Sequence, residues 1–195
     1  MSVYTYRPAP RRVGRPAGWW AVAMLIASEG MLFASFIASY YYLRFKAPAW
    51  PPAGIPKPAV AVPLALALVL AATSVPMQLA AVAARARRLA LTRLLLVVAL
   101  VVQSGYFAMQ MHLYLDDLGK FSPATHAYGS LYFLLLGADH GHVALGLLLD
   151  VWLLGKLVGG FTTYRLNATQ AIAFYWHAVN ALTLIVTGTI LSAAV

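Results

Sequence analysis

Cysteine is absent from this chain of 195 residues, which excludes disulfides, thiolate metal sites and iron–sulfur clusters. Acidic residues are scarce: five Asp and Glu stand against fourteen Lys and Arg, and only 10% of residues are charged. No nucleophile elbow, phosphate loop, paired-carboxylate signature or dinucleotide fingerprint occurs in a loop, so the enzyme classes those motifs mark are excluded as well. Internal repeats and a second domain are missing too. What remains is apolar, 62% of the whole, and the chain reads as an integral membrane protein.

Long apolar runs fill the sequence. They extend over Gly18 to Arg44, Ala59 to Ala84, Leu94 to Leu115, Ala127 to Leu157 and Ala168 to Ala194. Each reaches the ~20 residues that cross ~30 Å of hydrocarbon, and all are too long for barrel strands. The expected fold is all-α, a transmembrane bundle of five spans over residues 18–195. Residues 1–17 hold three prolines and four arginines without apolar period, and are expected to form an irregular cytoplasmic arm. The first run is too long for a signal peptide and lacks its cleavage pattern, so it is expected to stay as an anchor.

The net charge of +9 follows the membrane rather than a nucleic acid. Arg7, Arg11, Arg12, Arg15, Arg85, Arg87, Arg88, Arg93, Lys156 and Arg165 fall on one side of the alternating spans; Arg44, Lys46, Lys57 and Lys120 fall on the other. The positive-inside rule then places the amino terminus in the cytoplasm and the carboxyl terminus outside. No nucleic-acid partner is expected. The loop from Ala47 to Pro58 contains five prolines and is expected to be extended, with Trp50 as an interfacial anchor. Asp116 to His126 is expected to be an acidic loop between spans three and four, with His112 and His126 at a solvated interface. Gly30, Ala34 and Ala38, and likewise Gly137 and Gly141, recur at a spacing that predicts close helix contacts. Pro76 is expected to bend span two.

Ionisable groups inside lipid are costly and default to a functional reading. By the ~1.5 Å rise per residue, Glu29 lies ~16 Å into span one, His177 ~14 Å into span five, and His142 ~18–22 Å from the cytoplasmic end of span four. The three are expected to share one layer near the midplane, as a proton-active cluster or as groups satisfied separately. Asp139, His140 and His142 are competent metal ligands, but residues two apart point ~200° from each other, so the two histidines cannot meet on one ion, whereas Asp139 and His142 can pair. In span five His177, Asn180, Thr183 and Thr187 form a polar stripe that faces protein.

Several motifs, in order, resemble subunit III of the haem–copper terminal oxidases, typified by cytochrome c oxidase. GWW at Gly18 to Trp20 and SEGMLFASFIASYYYLR at Ser28 to Arg44 are similar to the family's helix with a buried glutamate, here Glu29. WPPAGI at Trp50 to Ile55 resembles its tryptophan–proline loop. GYF at Gly105 to Phe107 with Gln110, HAYGSLYFLLLGADHGHVALG at His126 to Gly146 and YWHAVN at Tyr175 to Asn180 resemble its later spans. Asp139 stands where the family's signature span has its first histidine, His142 matches the second, Asn180 replaces an aspartate, and Leu113 replaces a glutamate. The two helices that begin longer members have no counterpart here.

The resemblance implies a subunit of an oxidoreductase complex with no active site of its own: no catalytic, cofactor-binding or metal residue in this chain, haem and copper in partner subunits, and bound phospholipid. Partners would be the catalytic haem–copper subunit I and the other oxidase subunits, in a bacterial plasma membrane. It would stabilise the catalytic subunit and support proton uptake in aerobic respiration. Glu29, Asp139, His142, His177 and Asn180 would be buried polar residues of the proton environment or of subunit contacts. Three alternatives stay open on the sequence: the equivalent subunit of a quinol oxidase or nitric-oxide-reductase-associated protein, a small proton-coupled transporter, and a cytochrome b-like protein with His142 and His177 as haem ligands.

Overall fold

In lipid every backbone N–H and C=O must be satisfied within the protein, and long helices do this segment by segment. The computed structural model describes residues 16–194. Its helices are α1 (Ala17–Lys46), α2 (Ala61–Ala72), α3 (Ser74–Arg85), α4 (Leu89–Lys120), α5 (Ala127–Leu157) and α6 (Thr163–Leu191), closed by a 3-10 turn at Ser192–Ala194. Helices α2 and α3 make one span, so the described residues contain five helices long and apolar enough to cross a membrane, and no strand. Of the expected amino-terminal arm, residues 1–15 lie outside the described residues.

The fourth apolar run coincides with α5, whereas α4 begins earlier and ends later than its run. At ~1.5 Å per residue its 32 residues reach ~48 Å, beyond the ~30 Å of hydrocarbon, so its ends stand in the headgroup region where charge is tolerated. This corrects the expected acidic loop. Asp116 and Asp117 sit on the last turns of α4, where Lys120 Nζ meets Asp116 Oδ2 at 2.6 Å and Asp117 Oδ1 at 3.0 Å. Only the segment after Lys120 is loop.

Proline interrupts the second span, though not at its own position. Pro76 offers no N–H to the carbonyl of Ala72 and crowds it, and the helix breaks at Thr73, just before the proline's turn. Thr73 N–H turns instead to Leu70 O at 2.9 Å. Helix α3 ends in a Schellman motif: Arg87 N–H meets Ala84 O at 3.0 Å and Arg88 N–H meets Ala83 O at 2.9 Å. The residue in the left-handed region is Arg87, with φ of 58°, where glycine is usual.

Helix α6 is the centre of the bundle and packs against α1, α2, α3 and α5; α4 packs against α2, α3 and α5. One apolar core, including Leu96, Leu157, Trp176 and Val179, fills the end that carries Arg85, Arg88, Arg93 and Lys156. A second, including Phe33, Tyr40, Tyr128, Phe133 and Val186, fills the opposite end. Cross-links between turns fix the alternation of the spans. Arg93 Nη2 donates to Val158 O at 3.1 Å at one end; Arg44 Nη1 donates to Ser192 Oγ at 2.6 Å and Lys57 Nζ to Ala194 O at 3.2 Å at the other.

The loop after α1 is irregular, as its prolines dictate, but Trp50 folds inward instead of lying along an interface. Its ring stands edge-on between Tyr40 and Tyr128, 5.2 Å from each. Helix α1 contributes only Phe33 and Tyr40 as buried residues. Its small residues Gly30, Ala34 and Ala38 are exposed, and a Cβ at Gly30 or Gly141 would meet nothing within 4 Å. The expected close contact is therefore absent at Gly30 and Gly141 but present at Gly137, where a Cβ would stand 3.2 Å from the Tyr114 hydroxyl. Close approach occurs elsewhere: a Cβ at Gly146 would sit 2.6 Å from the Trp176 ring.

Candidate functional site

Two of the three groups expected to share a layer meet. His142 on α5 places Nε2 at 3.4 Å from Glu29 Oε2 on α1. The orientation follows from the helix itself, because His142 Nδ1 is engaged by Ala138 O at 2.8 Å, one turn back, which leaves Nε2 to point outward. Phe33 stacks edge-on against the imidazole at 5.4 Å, and the Tyr175 hydroxyl donates to His142 O at 2.8 Å. The pair thus links α1, α5 and α6. It lines a cavity of about 240 Å³ whose other walls include Leu25, Ile26, Leu182 and Ile185.

Asp139 is buried and takes a different partner from the one its spacing allowed. Thr183 on α6 donates its hydroxyl to Asp139 Oδ1 at 2.8 Å, while His142 turns to Glu29. Tyr106 on α4 faces Asp139 and Thr183, and Gln110 Nε2 donates to the Tyr106 hydroxyl at 3.4 Å. Among the described residues no arginine or lysine is paired with this carboxyl, which a hydroxyl satisfies instead.

His177 does not join Glu29 and His142. Its Nε2 faces Gln78 Oε1 on α3 at 3.1 Å, a different side of α6. Bis-histidine ligation by His142 and His177 is therefore not what the fold prepares, since the two rings address different helices. Among the described residues no group of three or more His, Asp or Glu is placed to hold a metal ion. His140 and His142 diverge as their spacing requires: His140 lies near Phe107 and Tyr114 on α4, with ring centroids 6.1 and 5.5 Å away.

Asn180 belongs to a polar cluster at the α2–α3 break that the sequence only half announces. Its Nδ2 donates to Ser74 Oγ at 2.8 Å and to Thr73 Oγ1 at 3.3 Å. Thr73 is also 3.3 Å from the side-chain amide of Gln103 on α4. With its nitrogen turned to the carboxyl of Asp150, Gln103 donates to Oδ2 at 3.0 Å and to Ala99 O at 3.1 Å, the orientation that satisfies both ends of the amide. Asp150 is wholly buried on α5, with the Trp176 indole beside it. The expected polar stripe of α6 is thus real, and Asn180, Thr183 and Thr187 are all buried. Gln103, Thr73 and Ser74 had no place among the expected site residues. Their signal is the recurrence of Gln103, Tyr106 and Gln110 on one face of α4, at helical spacing in an otherwise apolar run.

The chain matches the protein family described as cytochrome c oxidase subunit III over residues 16–191. It is 25% identical over 183 residues to cytochrome c oxidase subunit 3 of Synechocystis, covering 92% of this chain and 77% of that protein. It is 31% identical over 161 residues to the probable cytochrome c oxidase subunit 3 of Mycobacterium leprae, covering 80% of this chain and 77% of the other. With the turtle Pelomedusa subrufa protein of the same name it shares 28% over 170 residues, 84% of this chain and 64% of that longer one.

Proposed function

Since the chain belongs to the cytochrome c oxidase subunit III family, we propose that it serves as a non-redox core subunit of a haem–copper terminal oxidase, stabilising the catalytic subunit and supporting proton uptake and lipid binding. It is a multi-pass membrane protein by its helices and its family. The membrane would be a bacterial plasma membrane, with the amino terminus in the cytoplasm. Haem and copper would reside in the catalytic subunit I and its companions.

The observation that carries this reading is the Glu29–His142 contact across α1 and α5, at the residues through which the sequence resembles the family's buried glutamate and signature histidine. A carboxyl group and an imidazole in contact inside the membrane suit a supporting place in proton uptake, where no bond of the substrate is made or broken. Lipid binding is supported by the cavity beside that pair: Leu25, Ile26, Leu182 and Ile185 offer an acyl chain an apolar wall, and the pair offers a polar group to a headgroup or linkage. Subunit association is supported by α1, whose exposed Gly30, Ala34 and Ala38 allow a helix of another chain to approach closely. Asp139, His177 and Asn180 would keep the spans in register beneath these contacts.

Mild-detergent purification through a carboxyl-terminal tag, with mass spectrometry of co-eluting chains and lipids and a visible spectrum of the same fraction, tests the reading. Haem-bearing partners with oxygen-reducing activity and retained phospholipid are expected. A colourless single chain would overturn it. Activity with cytochrome c rather than quinol separates the cytochrome c oxidase from the quinol oxidase of the same family.

A further inference from the structure

At the end of the bundle that carries the α1–α2 and α4–α5 loops, a second cavity of about 290 Å³ runs inward between α2, α4, α5 and α6. Its mouth is charged, with Lys57, Asp116, Asp117 and Lys120 in its lining. The Tyr132 hydroxyl donates to Asp117 Oδ2 at 2.5 Å on one wall. At its inner end lie His140 and Gln110. His140 is 5% exposed, its Nδ1 is taken by Leu136 O, and its Nε2 is buried and closes no hydrogen bond among the described residues. His140 stands on the fourth turn of α5, ~20 Å along the helix from Ala127 at the ~1.5 Å rise per residue, well below the headgroup level.

We propose that this cavity is a hydrated vestibule that admits water and small water-soluble solutes from that surface to His140. Three observations point the same way. The space takes about ten waters at ~30 Å³ each, and such a site needs several polar partners for its waters. Tyr132, Gln110, Thr187 and His140 supply them along its length. The His140 ring is part of that lining, and an acyl chain in the cavity would offer it no hydrogen-bond partner. Finally, the charged mouth, two lysines and two aspartates, is suited to water rather than to lipid tails. Beyond the floor Gln110 donates to the Tyr106 hydroxyl, and Thr183 donates to Asp139. The vestibule itself ends at His140 and Gln110, between α2, α4, α5 and α6, whereas the Glu29–His142 cavity is lined from α1, α5 and α6.

Because the chain has no cysteine of its own, single cysteines report access directly. Leu136→Cys and the nearly isosteric Thr187→Cys line the vestibule; Leu134→Cys, two residues away on α5 at almost the same depth, lies on the outer surface. The full chain in its complex is sealed in vesicles, treated from one face with the permanently charged methanethiosulfonate ethyltrimethylammonium, and read by the mass of this chain. Leu136→Cys and Thr187→Cys are expected to react at least ten times faster than Leu134→Cys, and only from the face of the Pro56–Pro58 segment. Labelling by a membrane-soluble maleimide alone would show a lipid-filled space and overturn the proposal, as would access from the opposite face. Radiolytic hydroxyl labelling of the unsubstituted complex gives an independent reading: oxidation of His140 and Tyr132 is expected, and protection of both overturns the inference without any variant.

Discussion

The indole of Trp176 on α6 lies directly against the backbone of Gly146 on α5, so close that a Cβ on Gly146 would stand 2.6 Å from ring atom Cζ2 and 2.9 Å from Cε2. Trp176 is fully buried and borders Asp150, so the ring has little room to withdraw. Gly146→Ala is expected to destabilise the complex by about 1–3 kcal/mol, the range for overpacking a filled core. Gly155→Ala, where nothing lies within 4 Å, is expected to be neutral or to gain up to about 1 kcal/mol of helix propensity. Thermal melting of the two variants in one detergent checks the contrast.

Gln103 and Asp150 are expected to behave as a unit. Replacing Gln103 by Leu strands the buried Asp150 carboxyl and is expected to cost about 1–3 kcal/mol. Replacing both by Leu removes donor and acceptor together, and the double variant is expected to regain much of that loss. A double-mutant cycle by thermal or denaturant unfolding measures the coupling; additive losses would contradict the contact.

Glu29→Ala and His177→Ala are expected to lower the stability of the assembled oxidase during turnover while leaving its visible haem spectrum intact. The two losses differ in kind, because Glu29 joins α1 to α5 and His177 joins α6 to α3. His142→Ala is therefore expected to reproduce the effect of Glu29→Ala, and Gln78→Leu that of His177→Ala. Loss of haem absorbance in an intact complex would contradict the supporting role assigned to both.

The exposed stripe on α1 gives a prediction about assembly alone. Ala34→Leu adds bulk at an exposed position, so the fold is expected to be unaffected. Recovery of partner chains after detergent extraction is expected to fall, by about 1 kcal/mol of association. Unchanged recovery would assign that face to lipid.

Arg87 holds a left-handed conformation that costs a residue with a side chain about 1–2 kcal/mol. Arg87→Gly is expected to stabilise the Schellman turn by about 1 kcal/mol, read as a rise in melting temperature. The loss of one positive charge leaves Arg85, Arg88 and Arg93 nearby, so insertion is expected to be unchanged.

The five spans were legible because long apolar runs in this chain have one viable fate, and α5 even keeps its expected bounds. The polar face of Asn180, Thr183 and Thr187 was legible for a similar reason: hydroxyls and amides at helical spacing must face protein. Depth along a helix was readable, and Glu29 and His142 do meet. Azimuth was not. His177 shares their depth yet turns to Gln78, because helix crossing, rather than spacing within one helix, decides which faces oppose. The same limit hid Gln103 and Thr73, whose partners lie on other spans. Small residues at four-residue spacing were a partial guide: they permit close approach without requiring it, so Gly137 lies against Tyr114 while a Cβ at Gly30 or Gly141 would have nothing within 4 Å, and a tighter contact forms at Gly146, under a tryptophan.

Helix α1 packs only against α5 and α6. Its partners are made after α2, α3 and α4, so during synthesis α1 stands in the bilayer without them while the intervening chain is threaded in. Glu29 spends that interval without His142. The apolar residues around Glu29 must therefore suffice to insert a carboxyl group that has no counterpart yet, and these helices close around it only when α5 and α6 arrive. Truncation before α5 would leave α1 adrift, however faithfully the middle spans had folded.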